Sequence, residues 1–195
     1  IACRNLCHGA PLFANSAEKR DDMAKRFVSV WFRFLKTDWF TLRNAALRDI
    51  PFVLCTTDHG RMMVTAANET AQLQGIEAGM AVADARALLP GITVLDDKPG
   101  LEAKLLRRIA EWAIRFTPVV AMDLPDGIVL DATGCTHLWG GDKAYLTDIY
   151  KRLLSKGYTV QLAIADTMAA ARAVARFGKP GVVVEPGGHM QALLP

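Results

Sequence analysis

Apolar residues first gather in the run FVSVWFRFL, Phe27 to Leu35, held between the charged Lys25-Arg26 and Lys36-Thr37-Asp38. A β-branched and aromatic run of this length with charged flanks predicts a buried strand. Asp38 is placed to cap a short helix through Leu47. FVLCTT and RMMVTAA lie on either side of Asp58-His59-Gly60, the pattern of a hairpin. Asn68 to Gln74 predicts a short helix stopped at Gly75, and AVADARALL another stopped at Pro90. Leu101, Leu105, Ile109, Trp112 and Phe116 recur at helical spacing, and Thr117, ahead of Pro118, ends that helix. VVAMD and GIVLDA flank Leu124-Pro125-Asp126-Gly127, whose composition predicts a tight turn between antiparallel strands. Gly140-Gly141-Asp142 opens a helix to Lys156 that Gly157 closes, and YTVQLAIA follows as a strand. Asp166 then caps an alanine-rich helix that ends at Gly178, with Lys179-Pro180 beyond it.

With residues 37–96 set aside as a small mixed lobe, the order is strand, helix, strand, strand, helix, strand. That order predicts an α+β fold: a ferredoxin-like domain of residues 25–36 and 97–177, its antiparallel-rich sheet backed on one face by helices. Residues 1–24 read as an irregular N-terminal extension. Such a fold serves many functions and decides none. The 195 residues, 51% of them hydrophobic, suffice for a proper core. A net charge of +3 permits contact with phosphates but falls short of a protein that binds by charge alone. Cys3, Cys7, Cys55 and Cys135 lack the second close pair of a zinc site, so reduced thiols in a cytoplasmic protein are expected. No stretch reaches the roughly 18 apolar residues of a membrane span, so no membrane contact is expected.

Four segments in order carry a more specific signal. They are FVSVWFRFLK, QGIEAGMAVADARALLPGI, RFTPVVAMDLPDGIVLDATGC and LAIADTMAAARAVARFGKPGVVVEPG. Together they resemble the motifs of the Y-family (UmuC/DinB-like) DNA polymerases. The first is similar to the opening palm strand, which in that family reads Asp-x-Asp-x-Phe-Phe. The second is similar to the fingers segment around Gly-x-x-x-Gly-Met, here Gly75, Gly79 and Met80. The third is similar to Ser-x-Asp-Glu followed by Leu-Asp, and the fourth to Gly-Ile-Ala-x-Asn-Lys-x-x-Ala-Lys. The resemblance implies a palm of residues 25–36 and 97–177, a fingers-like lobe of 37–96, and in 178–195 the truncated start of a thumb or linker.

The departures from those motifs bear on chemistry. Active members hold a pair of magnesium ions on first-strand Asp residues and a hairpin Asp-Glu, clamping the oxygens of an in-line phosphoryl transfer. Here Trp31 and Arg33 stand where the first-strand Asp residues belong and Gly127 where the Glu belongs, leaving Asp126. At an effective dielectric near 20, an Arg in place of a carboxylate turns roughly 4 kcal/mol of attraction per unit charge at 4 Å into a similar repulsion. Magnesium takes oxygen ligands almost exclusively, so no metal and no cofactor is expected. By register, Glu69 and Gln72 replace the Tyr and Arg that grip the triphosphate, Lys36 the aromatic that screens the sugar, and Met168 the first Lys of the late motif. Arg172 keeps a basic residue at the second. This combination is similar to the ImuB subgroup. It implies a non-catalytic adaptor in DNA repair, translesion synthesis and damage-induced (SOS) mutagenesis. The partners it implies are DNA, the sliding clamp, an ImuA-type RecA-like protein and an error-prone replicative-type polymerase.

Each feature also has a plain structural explanation. Asp126 fits a Pro-Asp-Gly turn, Asp131 a strand end and Asp123 a hairpin border. Trp31 and Arg33 share one face of their strand. There Arg33 either pairs with Asp126 or Asp131 in a closed pseudo-site or, with Arg172, binds phosphate. Lys104, Arg107, Arg108 and Arg115 read as a solvated face interrupted by Glu102 and Glu111. The competing function is an active Y-family polymerase transferring nucleotides with magnesium on Asp123, Asp126 and Asp131. An RNA-binding module is a third class, but it lacks the exposed aromatic pairs such sheets use.

Overall fold

The computed structural model describes residues 25–179 and 181–184, so the expectations for residues 1–24 and 185–195 lie outside it. Along the chain run β1 (Phe27–Phe32), α1 (Leu35–Arg43), β2 (Phe52–Asp58), β3 (Arg61–Ala67), α2 (Glu69–Gln72), α3 (Val82–Leu88), β4 (Thr93–Asp96), α4 (Leu101–Ala113), β5 (Val120–Asp123), β6 (Gly127–Asp131), α5 (Asp142–Ser155), β7 (Val160–Ala165), α6 (Met168–Phe177) and β8 (Val182–Val183). They form a five-stranded sheet of order β5-β6-β1-β7-β8 and a three-stranded sheet of order β3-β2-β4. The fold is α+β, and the first four strands of the larger sheet carry the ferredoxin-like order.

β1 occupies the centre of that sheet because it can bury both faces. Val28, Val30 and Phe32 are fully buried on one side. Against them α4 places Leu105, Leu106 and Ile109, and α5 places Tyr145, Leu146 and Ile149. Each such side chain removed from water contributes about 1.5–3 kcal/mol. On the other side Phe27 and Trp31 meet α6, whose Ala171, Val174 and Ala175 close over Ala163 and Ala165 of β7. The sheet is therefore covered on both faces along β1 and β7, where helices on one face were expected. Alanines on both surfaces let α6 approach closely, a feature that an alanine-rich helix alone does not reveal.

Three local expectations are corrected. β1 ends at Phe32, short of Leu35, because α1 begins there. Asp38 lies within α1 and caps nothing; its Oδ2 accepts the backbone N–H of Thr159 at 2.6 Å, tying α1 to the entrance of β7. Thr167, and not Asp166, caps α6, its Oγ1 accepting from the N–H of Ala170 at 3.2 Å. The expected β2–β3 hairpin is present, with His59 (φ 47°) and Gly60 (φ 78°) both left-handed as a two-residue turn requires. Its sheet has its own core, including Val53, Cys55, Val64, Ile76 and Val82.

Buried Arg26 secures one end of the larger sheet. Its Nε donates to Asp142 Oδ2 at 2.8 Å and its Nη1 to the Val184 carbonyl at 2.9 Å, joining β1, α5 and the end of β8. At the other end the chain leaves α5 through Gly157 (φ 81°), where a Cβ would lie 2.4 Å from Leu42 Cδ2. Among the described residues no helix is long and apolar enough to cross a membrane.

Burial pushes the Asp38 carboxyl up to about 6 against the lowering effect of its Thr159 hydrogen bonds, with Glu69 adding to the rise. A raised folded-state value means that Asp38 favours the fold below its unfolded value near 4. This contribution is lost as pH rises through about 6. Asp38→Asn keeps an acceptor for Thr159 without a buried charge. The melting-temperature difference between this variant and the unaltered chain should be positive at pH 8 and shrink as pH falls through 6. A difference that does not vary with pH would contradict this.

Candidate functional site

The antiparallel register puts Trp31 of β1 opposite Gly127 of β6, and Gly127 opposite Asp123 of β5, all on the sheet face that α6 covers. The loop Leu124–Asp126 joins those strands, and its Asp126 carbonyl accepts the N–H of Phe32 at 2.8 Å. Asp126 is thereby held over the end of β1. Its two oxygens are both engaged: Arg176 Nη2 donates to Oδ1 at 2.7 Å, Arg176 Nη1 to Oδ2 at 3.1 Å, and the Trp31 indole N–H to Oδ2 at 2.8 Å. A forked guanidinium–carboxylate pair of this kind is the strong, oriented form of an ion pair. The same guanidinium lies 5.4 Å from the centre of the Trp31 ring.

Asp123 completes the cluster. Arg172 Nε approaches its Oδ2 at 2.9 Å as an ion pair without hydrogen-bond alignment, and Arg176 Nη2 stands 3.5 Å away. Two carboxylates thus face two guanidinia, and the group is electrically balanced. The hydrogen bond to Asp126 and the charges of both carboxylates push the Arg176 guanidinium further above its usual range.

The expected pairing of Arg33 with Asp126 or Asp131 is corrected. Among the described residues Arg33 makes no ion pair; it is exposed, its guanidinium 5.1 Å from the Phe34 ring centre. The strand ends after Phe32, so Arg33 leaves the sheet face that Trp31 occupies. Asp131 stands at the far end of β6 opposite Phe27, about 13 Å from Gly127 at ~3.3 Å per residue. Its Oδ1 accepts from the Thr133 N–H at 3.0 Å. Asp123, Asp126 and Asp131 therefore do not converge, and among the described residues no three His, Cys, Asp or Glu side chains are placed to hold a metal ion.

Arg176 was not legible as a site residue. The available signal was its spacing from Arg172, four residues along one face of α6. Beside the cluster opens a cleft of about 320 Å³, lined by Arg33, Lys36, Thr65, Gln72, Glu102 and Asp126 among others. Lys36 is not free in it, since its Nζ donates to Asp97 Oδ2 at 2.7 Å. Burial raises the Asp97 carboxyl, but hydrogen bonds from Lys36, Thr65 and the Lys98 N–H outweigh it and leave it below the usual range. Glu69 and Met168 are exposed.

Comparison with known proteins adds an independent line. The family described as impB/mucB/samB matches residues 5–176. A protein of Caulobacter vibrioides named Protein ImuB is 42% identical over 120 residues, which are 62% of this chain and 26% of that protein. DNA polymerase IV 2 of Mesorhizobium japonicum is 31% identical over 159 residues, covering 78% of this chain and 36% of that protein. The chain thus spans about a quarter to a third of the length of these relatives. A solved structure described as a post-insertion binary complex of Dbh DNA polymerase superposes with a TM-score of 0.73 at 20% identity, over 85% of this chain and 50% of that one.

Removing Arg176 leaves Asp126 and Asp123 half-compensated in a partly buried site. Arg176→Ala should cost about 1–3 kcal/mol in urea unfolding at neutral pH. Arg176→Lys, a point charge without the fork, should recover part of the loss. An alanine variant as stable as the unaltered chain would show that the pair contributes nothing.

Proposed function

The chain belongs to the impB/mucB/samB family, and from that premise we propose that it is a non-catalytic, ImuB-like Y-family homologue acting in DNA repair, translesion synthesis and damage-induced mutagenesis. The observation that carries this reading is the occupied carboxylate: both oxygens of Asp126, the retained motif position, are taken by Arg176 and Trp31. Magnesium does not fit such a donor set. It needs free carboxylate oxygens at short, near-octahedral distances. At an effective dielectric near 20, a guanidinium 4 Å away opposes a divalent ion by roughly 8 kcal/mol. Gly127 supplies no carboxylate, and a Cβ there would meet Val30 O at 3.2 Å and Asp123 O and Oδ2 at 3.3 Å, which only small shifts of those neighbours would relieve.

In this proposal residues 25–36 and 97–177 act as a palm and 37–96 as a fingers-like lobe. The two sheets with separate cores support that division. The protein is cytoplasmic and contacts DNA; the sliding clamp, an ImuA-type RecA-like protein and an error-prone replicative-type polymerase are its partners. The 42% identity to Protein ImuB of Caulobacter vibrioides supports that assignment. Arg33, which lines the cleft and makes no ion pair among the described residues, is the proposed phosphate contact. Arg172 takes part after exchanging Asp123 for phosphate. The rival reading, an active polymerase on Asp123, Asp126 and Asp131, gains nothing from a triad that spans the length of β6.

Primer extension with the full-length protein and magnesium tests the proposal. No extension is expected, and the combined changes Trp31→Asp, Arg33→Asp and Gly127→Glu should restore at most a trace. Arg176 still holds Asp126 in that variant, the new Glu side chain is crowded, and Glu69, Gln72 and Met168 still fail to position a triphosphate. Metal-dependent extension by the unaltered protein, abolished by Asp126→Ala, would overturn the reading.

A further inference from the structure

β5 is the outer strand of the larger sheet, and among the described residues it pairs with β6 alone. The Val119 carbonyl accepts the N–H of Asp131 at 3.0 Å. Backbone direction alternates along an antiparallel ladder, so Val119, Ala121 and Asp123 serve β6, while the N–H and C=O of Val120 and Met122 point to the open edge. Edge strands are ordinarily guarded by charged side chains, and the run VVAM, residues 119–122, carries none. Beside this edge a groove of about 280 Å³ opens between α4 and β5. Ala110, Ile114, Pro118, Val120 and Met122 line it, with Arg107 and Glu111. Its apolar lining reaches solvent: Ile114 is 56% and Met122 42% exposed. Arg107 and Glu111, both exposed and one helical turn apart, enter no ion pair among the described residues.

We infer that this edge pairs with the same edge of a second copy of the chain. Any extended peptide could satisfy the backbone groups of Val120 and Met122. A second copy also answers the charges. Antiparallel pairing of β5 with its counterpart runs the two α4 helices in opposite directions along the seam. A two-fold axis that passes between Arg107 and Glu111 then sets each of them against its opposite on the other copy, the reciprocity that an isologous interface requires. Ile114 and Met122 of both copies meet across the same axis and close one groove over the other. The described chain enters the sheet at β1 and leaves it at β8, two and four strands from β5, so neither of its ends begins at this edge. β5 has four residues, bounded by Pro118 and Pro125, and a seam that short fits a weak dimer. The seam uses the backbone of β5 and the flank of α4, and stands whether or not the Asp126 cluster is catalytic.

Sedimentation equilibrium of the full chain tests this, read as the dimer dissociation constant. The unaltered chain should dimerise with rising concentration. Arg107→Glu puts like charges across the axis and should weaken the dimer at least about tenfold. Adding Glu111→Arg exchanges the two charges and should restore it. Met122→Pro removes an N–H that faces the open edge and none that serves β6, so it should abolish dimerisation while melting curves show a folded chain. If that variant does not fold, the charge exchange decides alone. A chain that stays monomeric at high-micromolar concentration would overturn the inference, whether its own ends or another protein's strand fill the edge. So would a dimer indifferent to Arg107→Glu, or a charge-exchanged chain that pairs no better than Arg107→Glu.

Discussion

The forked pair between Arg176 and Asp126, closed by the Trp31 indole, fixes how this end of the molecule is built. It joins a strand, a hairpin loop and a helix that are distant in sequence. A buried ion pair is a weak source of net stability, because desolvation offsets much of its attraction. What it does provide is direction. A fork can be satisfied in one orientation, so α6 is held at one angle across β1 and the hairpin loop is drawn onto the strand end.

That arrangement depends on β1 being the central strand. With Val28, Val30 and Phe32 committed to the α4–α5 side, Phe27, Ser29 and Trp31 must face α6. A carboxylate at position 31 would stand beside Asp126 and Asp123 and would need a cation between them. An indole instead brings a donor, and the guanidinium from α6 brings the cation. Charge balance at the site is thus met by the chain itself.

Much of the fold was legible because its signals are local. The Leu101 helix repeats apolar residues on one face, the Asp58-His59-Gly60 turn has its hairpin residues, and VVAMD and GIVLDA bracket a turn. Helix caps are less legible, because a neighbouring residue or a tertiary contact can take the capping side chain's place. Asp38 and Asp166 look like caps, but Asp38 is used across the fold and Thr167 serves α6. The proposed loss of motif carboxylates at Trp31, Arg33 and Gly127 is readable position by position. What replaces them was not, since the partner of Asp126 lies 50 residues away on a helix whose alanines advertise only close packing. Alternation along β1 points Arg33 at the role that Arg176 performs, but the strand ends at Phe32.

On the proposed reading, the Arg176 guanidinium stands where a metal ion would have to sit. Manganese titration followed by NMR tests it most directly, with the Trp31 indole N–H as reporter 2.8 Å from Asp126. This resonance and the amides of the Asp123–Gly127 hairpin should stay sharp at manganese concentrations that broaden exposed acidic loops. Selective, saturable broadening at Trp31 and Asp126, reversed by magnesium, would contradict it.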